Sequence, residues 1–498
     1  MTITVSLTMR IFKHVLLAIG YGLLGVTVTL LVVYGTVLQN RPELKPWHTV
    51  ELDEEFTTQK KETIQSFEEY LKLEERLFRQ LRMDVYQDKA EADKNLLNRY
   101  FTGSRADPAN DARDWNRSFE LKKQNPRGGI LLVHGLSDSP YSMRALAQLF
   151  HAQGYYALGL RLPGHGTIPA GLVHTSWQDF AAATRLAAQH VRQQIGENKP
   201  FYLAGYSTGA ALVMEYSLAI LEGEALPVAD GLILLSPAIG VNPIAALAVY
   251  QAKLAVIPGL EKFAWDSILP EYNPYKYQSF AVNAGDQIYR LTRKIEQRIN
   301  RLDKGNGVSG IPPVLAFQSV ADATVSTKAL VKVLFKRLAS EGHELVLFDV
   351  DRSAHIEPFL AHDPVEDIKQ LFAEPQLSFT TTLLTNISPN AQEIYARHRL
   401  AGPTKVIGER LELAWPNDIY SLSHTALPFS PNDPVNGAKA PAKQQLVYLG
   451  RIDLRGERGL FIVPASELLR LSYNPFYSYI EKRVVDFIRQ AESVQEKQ

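Results

Sequence analysis

The chain has 498 residues, and its 53 lysines and arginines are matched by 53 aspartates and glutamates. Zero net charge leaves no basic surplus to neutralise phosphates, so no nucleic-acid partner is expected. The absence of cysteine excludes disulfides, thiolate chemistry and cysteine metal sites.

The first 14 residues form a flank with Arg10, Lys13 and His14. Val15 to Leu38 is an uncharged, apolar-rich run of 24 residues. As a helix it spans about 36 Å, enough to cross a hydrocarbon core of about 30 Å with some tilt. No small-x-small cleavage site precedes Gln39-Asn40-Arg41-Pro42, so a retained anchor is expected rather than a cleaved signal peptide. Arg41 and Lys45 follow the run. Counting the α-amino group, the positive excess lies on the N-terminal side, which places the rest of the chain outside the cytoplasm.

Residues 39–127 read as a polar juxtamembrane segment. Within it, Ile64, Phe67, Leu71, Leu77 and Leu81 recur at helical spacing, predicting a helix from Thr63 to Arg82 that packs on the main domain. From Gly129 strands alternate with helices. Strands are predicted at Ile130–Val133, Tyr155–Leu160, Phe201–Ala204, Gly231–Leu235, Val314–Gln318 and Glu344–Val350. Helices are predicted at Ser142–Ala152, Trp177–Gln194, Ala210–Leu221 and Thr327–Leu338. This alternation predicts an α/β fold with a mostly parallel sheet covered on both faces. It lapses between Ser236 and Ile311, where helices are expected at Ala245–Ala255 and Gln287–Ile299. Further on, a strand is expected at Phe379–Leu384, a helix at Asn390–His398 and a closing amphipathic helix at Tyr479–Ala491.

Gly205-Tyr206-Ser207-Thr208-Gly209 lies between an apolar strand and an apolar helix. That order describes a sharp turn presenting a serine, with glycines where neighbouring chain must approach closely. A serine hydroxyl needs a base, an acid to orient the base, and donors for a developing oxyanion. Asp322 is the candidate acid, just beyond the carboxyl end of the predicted strand Val314–Gln318. Two histidines qualify as base. His355 follows the strand ending near Val350. His424 also satisfies the chain order, and choosing it makes about 357–420 an insertion. The N–H groups of Leu136 and Thr208 are the candidate oxyanion donors. His134 and His165 read as structural. No metal-ligand cluster or dinucleotide fingerprint stands out, so no metal or cofactor is expected.

The segments VHGLSDSPYSMR at 133–144, RLPGHGT at 161–167, LAGYSTGA at 203–210 and QSVADATVS at 318–326 together resemble the α/β-hydrolase superfamily. Within it they resemble the monoacylglycerol lipase and serine aminopeptidase-like group. The resemblance implies Ser207 as nucleophile, Asp322 as acid, Leu136 and Thr208 as oxyanion donors, and hydrolysis of an ester or related acyl bond. It implies a hydrolase domain over 128–498, with a helical cap at about 241–305 and a late insertion at about 357–447. The stretch Ser421-Leu422-Ser423-His424 resembles a segment of membrane-anchored bacterial hydrolases, which favours His424, whereas spacing favours His355. The implied protein is a single-pass enzyme of a bacterial inner membrane, its catalytic domain periplasmic and its substrate a lipid-derived ester such as a monoacylglycerol or lysophospholipid. An acyltransferase or an aminopeptidase would use the same triad, and an inactive membrane scaffold would keep only the fold.

Overall fold

The computed structural model describes residues 2–86, 97–240, 253–322, 324–339, 342–355, 363–417, 419–442, 446–450 and 471–495. Helix α1 (Thr2–Gln39) contains the apolar run and extends past it on the N-terminal side. Its stretch Phe12–Thr36 is long and apolar enough to cross a membrane, and its apolar core is not buried in the rest of the chain.

Helix α2 (Phe67–Asp84) starts where its sequence says it should. Ser66 caps it, accepting from the Glu69 N–H, and the Glu69 side chain returns the bond to the Ser66 N–H. Its buried face includes one charged residue, Glu74, which meets Arg161 at the carboxyl end of strand β3 (Tyr156–Leu160). Arg161 is almost fully buried. Its Nη2 lies 3.0 Å from Glu55 Oε1 and its Nε 3.4 Å from Glu74 Oε2. The Ser118 N–H and hydroxyl also donate to Glu74. The segment after α1 is thus pinned to the domain through a buried ion-pair cluster.

One sheet carries ten strands. In chain order they are β1 (Phe119–Leu121), β2 (Gly129–Val133), β3, β4 (Phe201–Tyr206), β5 (Gly231–Leu235), β6 (Val314–Ser319), β7 (Glu344–Phe348), β8 (Thr380–Asn386), β9 (Glu393–Arg399) and β10 (Val406–Ala414). Their spatial order is β1-β3-β2-β4-β5-β6-β7-β8-β9-β10. From β3 to β8 every pairing is parallel. The edge strands β1, β9 and β10 pair antiparallel. The inner strands are apolar at every position because both faces are covered. Leu131 and Val133 of β2 face α4 (Trp177–Ile195), α5 (Thr208–Leu221) and α6 (Val282–Leu302). Ile130 and Leu132 face α3 (Arg144–Ala152) and the C-terminal α9 (Tyr477–Gln495).

Several expectations change. The predicted helix Asn390–His398 is instead strand β9. Ile394 and Ala396 alternate into the core, and the strand is fixed on both sides, by β8 and β10. Pairing across the sheet overrides the local preference. The helix predicted at Thr327–Leu338 stops earlier, as α7 (Thr327–Val333), and a 3₁₀ turn follows at Phe335–Arg337. The helix predicted at Gln287–Ile299 is the centre of α6, whose Ile288, Leu291, Ile295 and Ile299 belong to the core shared with α4 and α5. Most of the helix expected at Ala245–Ala255 falls outside the described residues; Lys253–Val256 forms a 3₁₀ turn. The stretch expected as a late insertion contains β8, β9 and β10, together with α8 (Val365–Ala373).

Candidate active site

Strand β4 runs into α5 through Ser207, whose backbone sits at φ 53° and ψ −113°. A non-glycine residue holds such a conformation only where its surroundings enforce it. Two glycines make the turn possible. A Cβ on Gly205 would lie 2.3 Å from the Gly209 carbonyl carbon, and one on Gly209 would lie 2.0 Å from the Val133 carbonyl oxygen. The Ser207 N–H donates to the Leu235 carbonyl at 2.8 Å, tying the apex to β5.

His424 Nε2 lies 3.0 Å from Ser207 Oγ, and His424 Nδ1 lies 2.7 Å from Asp322 Oδ2. A carboxylate only accepts, so Nδ1 carries the proton, and Nε2 of the neutral ring is left to accept from the serine hydroxyl. Asp322 is itself held in place. Its Oδ1 accepts from the N–H groups of Thr324 and Val325, at 2.8 and 2.9 Å, and its Oδ2 accepts from Gln318 Nε2 at 3.0 Å. Burial alone would raise the carboxyl pKa. The bond and charge of His424 and the two backbone N–H groups outweigh it, and the group is held below the ordinary aspartate value. The His424 backbone is anchored by the Tyr206 hydroxyl, which donates to its carbonyl at 3.1 Å.

His355 lies apart from this group. It is exposed, ends a one-turn 3₁₀ segment at φ 52°, and makes no hydrogen bond to Ser207 or Asp322. The chain between β7 and His424 adds three more strands to the large sheet before it returns to the sheet's carboxyl edge. Counting residues from β7 leads to His355, whereas the turn that meets Ser207 and Asp322 carries His424.

The N–H of Thr208 opens α5, so it has no acceptor within its own helix. The N–H of Leu136 is oriented by His134. The Leu162 N–H donates to His134 Nε2 at 3.0 Å, so the proton of this ring must be on Nδ1, which donates to the Gly135 carbonyl at 2.8 Å. The Asp138 N–H donates to the same carbonyl at 3.3 Å. Because the peptide is trans, fixing the Gly135 carbonyl turns the Leu136 N–H to the opposite side. Burial, then the neighbouring His165, push the His134 pKa well below its usual value and keep the ring neutral. His165 is lowered to about 3, mainly by burial, and its Nδ1 bonds the Pro163 carbonyl. Both rings shape loops beside the serine.

A pocket opens on the His424 side. It is lined by Asp138, Ser142, Asn273, Lys276, Gln278 and Thr425, with Tyr141, Tyr272 and Tyr275 among its aromatic walls. Asp138 is buried, and Lys276 Nζ lies 3.6 Å from its Oδ1. Burial raises its carboxyl pKa, against the pull of Lys276 and His424. Sequence reasoning overlooked Asp138, Gln318 and Lys276. The first two carried a signal, since Asp138 sits two residues past Leu136 and Gln318 four before Asp322. Lys276 carried none. Among the described residues no group of histidines and carboxylates could hold a metal ion.

Residues 124–352 match the model of the serine aminopeptidase S33 family of hydrolases. Over this segment the chain is similar to that family, and its sheet and helices have the α/β-hydrolase fold. The chain is 25% identical over 223 residues to a thermostable monoacylglycerol lipase of Bacillus sp. (strain H-257), covering 45% of this chain and 81% of that protein. Among solved structures, a monoacylglycerol lipase of Paleococcus ferrophilus is 21% identical, covering 47% of this chain and 89% of that one, with a TM-score of 0.34. One from a study of two metagenome-derived lipolytic enzymes, LipS and LipT, is 20% identical over 51% of this chain and 98% of its own, with a TM-score of 0.36. The family match ends at residue 352, before the strands that carry the chain to His424.

Proposed function

We propose that this α/β-hydrolase is a serine esterase that cleaves lipid-derived carboxylic esters through an acyl-enzyme, anchored in a membrane by α1. The observation that carries the reading is the unbroken chain of hydrogen bonds from Asp322 through His424 to Ser207. Ser207 Oγ attacks the ester carbonyl as its proton passes to His424 Nε2. The N–H groups of Leu136 and Thr208 receive the oxyanion. Asp322 holds the imidazolium in orientation and does not take its proton. Nε2 then protonates the departing alcohol oxygen. Water repeats the sequence on the acyl-enzyme, with His424 again as base, and releases the acid.

The similarity to a monoacylglycerol lipase supports an ester with a fatty acyl group and a small polar alcohol. The polar pocket bordered by Thr425, the residue after His424, and by Asp138 supports the same choice, because it offers hydrogen-bonding groups to a polar alcohol close to the catalytic histidine. For the membrane reading, the support is the exposed apolar length of α1 and the basic residues at both of its ends. The orientation proposed with it is a catalytic domain on the periplasmic side of a bacterial inner membrane, supported by Arg10, Lys13 and His14 ahead of the span.

Turnover of an aryl ester tests the triad. Ser207→Ala and His424→Ala are expected to lose on the order of 10⁴-fold or more in kcat, whereas His355→Ala stays within a factor of about two. A fluorophosphonate should label the wild type at Ser207 and leave Ser207→Ala unlabelled. Full activity in His424→Ala, or loss in His355→Ala, would reverse the assignment of the base.

A further inference from the structure

The anchor helix is not a loose tether. Where α1 ends, the chain is fastened to one short part of the domain, residues 261–265. The Tyr34 ring packs edge-on against Phe263, with centroids 6.1 Å apart. Arg41 Nη1 donates to the Trp265 carbonyl, and Lys262 Nζ donates to the Arg41 carbonyl at 2.9 Å. Tyr34 and Arg41 bracket the end of the helix, so residues 261–265 are held at the level where a spanning α1 leaves the hydrocarbon.

The neighbouring segment, Ala255–Leu260, presents apolar side chains there. Val256 is 86% exposed, more than any other large apolar side chain among the described residues, those of α1 included. Ile257 is 51% exposed, and Pro258 follows it. The segment is not limp: Glu261 Oε1 accepts from the Gly259 N–H at 2.9 Å. Isolated exposed apolar residues need no explanation, but two adjacent ones beside the exit of a membrane helix do. The basic residues Arg41 and Lys262 stand at the same level, where anionic headgroups would meet them.

We propose that Ala255–Leu260 is a second membrane contact, inserting Val256 and Ile257 into the headgroup–acyl boundary of the bilayer that α1 crosses. This rests on α1 being a membrane span. The occupant is lipid rather than a protein partner because the segment runs directly into residues 261–265, which are fastened to the end of the span itself. Two points of attachment fix which face of the domain looks at the lipid, as one flexible tether would not. The chain from Trp265 continues into Tyr272–Gln278, which form one wall of the pocket beside His424. Seating the segment therefore brings that wall towards the surface from which an acyl ester would arrive.

The lack of cysteine makes a clean test. Single variants Val256→Cys, Ile257→Cys, Leu24→Cys and Glu412→Cys of the full chain are labelled with an environment-sensitive fluorophore and placed in nanodiscs containing anionic lipid. Leu24 lies mid-span, and Glu412 is exposed on strand β10. Aryl-ester turnover by each labelled variant verifies folding and stands independent of the label readings. The expected result is blue-shifted emission at 256 and 257, with quenching by aqueous iodide at least about threefold weaker than at 412. Quenching at 256 and 257 equal to that at 412, with the Leu24 label protected, overturns the inference alone. A quenched Leu24 label overturns the span reading and the inference with it.

Discussion

Asp138 is the side chain whose environment most needs a function. It is a buried carboxylate, its pKa is raised by burial, and Lys276 at 3.6 Å is its one charged partner within hydrogen-bonding or ion-pairing range among the described residues. Such a group gains most from a hydroxyl that donates to it, and an anionic neighbour would cost it further. On the proposed ester-hydrolase reading, its position in the pocket bordered by Thr425 matches that donor to the alcohol part of the substrate. The expected consequence is selectivity for neutral polyol esters over esters whose alcohol carries a phosphate. Comparing kcat/KM for a glyceryl ester and a methyl ester of the same acid measures it. Asp138→Asn should lower the glyceryl-to-methyl ratio about tenfold, the size of one hydrogen bond to a charged acceptor, about 1.4 kcal/mol. Equal losses on both esters would assign Asp138 to the shape of the Leu136 loop instead.

At the scale of elements, the segment between α1 and the sheet is secured by Arg161. Its guanidinium is 1% exposed and is balanced by Glu55 and Glu74, contributed by the N-terminal segment. Removing Glu74 leaves the buried guanidinium with Glu55 alone and takes the acceptor away from the Ser118 N–H and hydroxyl, which costs on the order of 1–3 kcal/mol. Glu74→Ala should lower the urea midpoint of the detergent-solubilised chain accordingly, while the folded fraction keeps its aryl-ester turnover. The same scale explains what the sequence made legible. Strands β2 to β7 were readable because burial on both faces makes them short, unbroken apolar runs; Gly231–Leu235 has the bounds its residues suggest. β9 was not, since Glu393–Arg399 contains good helix formers and owes its conformation to β8 and β10. The site divides in the same way. Ser207 and Asp322 stand at the ends of readable strands. His424 is brought to them by a sheet extension whose strands come from one of the least readable parts of the chain, so its meeting with Asp322 depends on pairing that no local pattern encodes.

For the molecule as a whole, the buried histidines set the response to acid. His48 and His165 are lowered to about 3 and His343 to about 4, each chiefly by burial, and His134 lies well below its usual value. In the unfolded chain each takes up a proton near pH 6.5. Between that pH and the folded value, the unfolded state holds more protons, so stability is complete above about pH 6.5 and falls as the pH drops. Asp322 and Glu120, both lowered, add to the loss at more acidic pH, below the ordinary carboxylate range. Glu74, Asp138 and Glu271 are raised, and their contributions run the other way, weakening as pH rises through their folded values. A whole-protein profile therefore mixes opposed slopes, and one histidine has to be isolated to read the sign. His343 is suited to this. It lies away from the candidate triad, and its Nδ1 accepts from the Val314 N–H at 3.1 Å, a bond that a protonated ring would forfeit. Each such histidine contributes up to about 1.4 kcal/mol per pH unit. In urea titrations between pH 4.5 and 6.5, His343→Gln should flatten the slope of stability against pH by up to that amount, whatever it does to stability at pH 8. An unchanged slope would mean that His343 titrates alike in the folded and unfolded chains and that its burial does not hold it neutral.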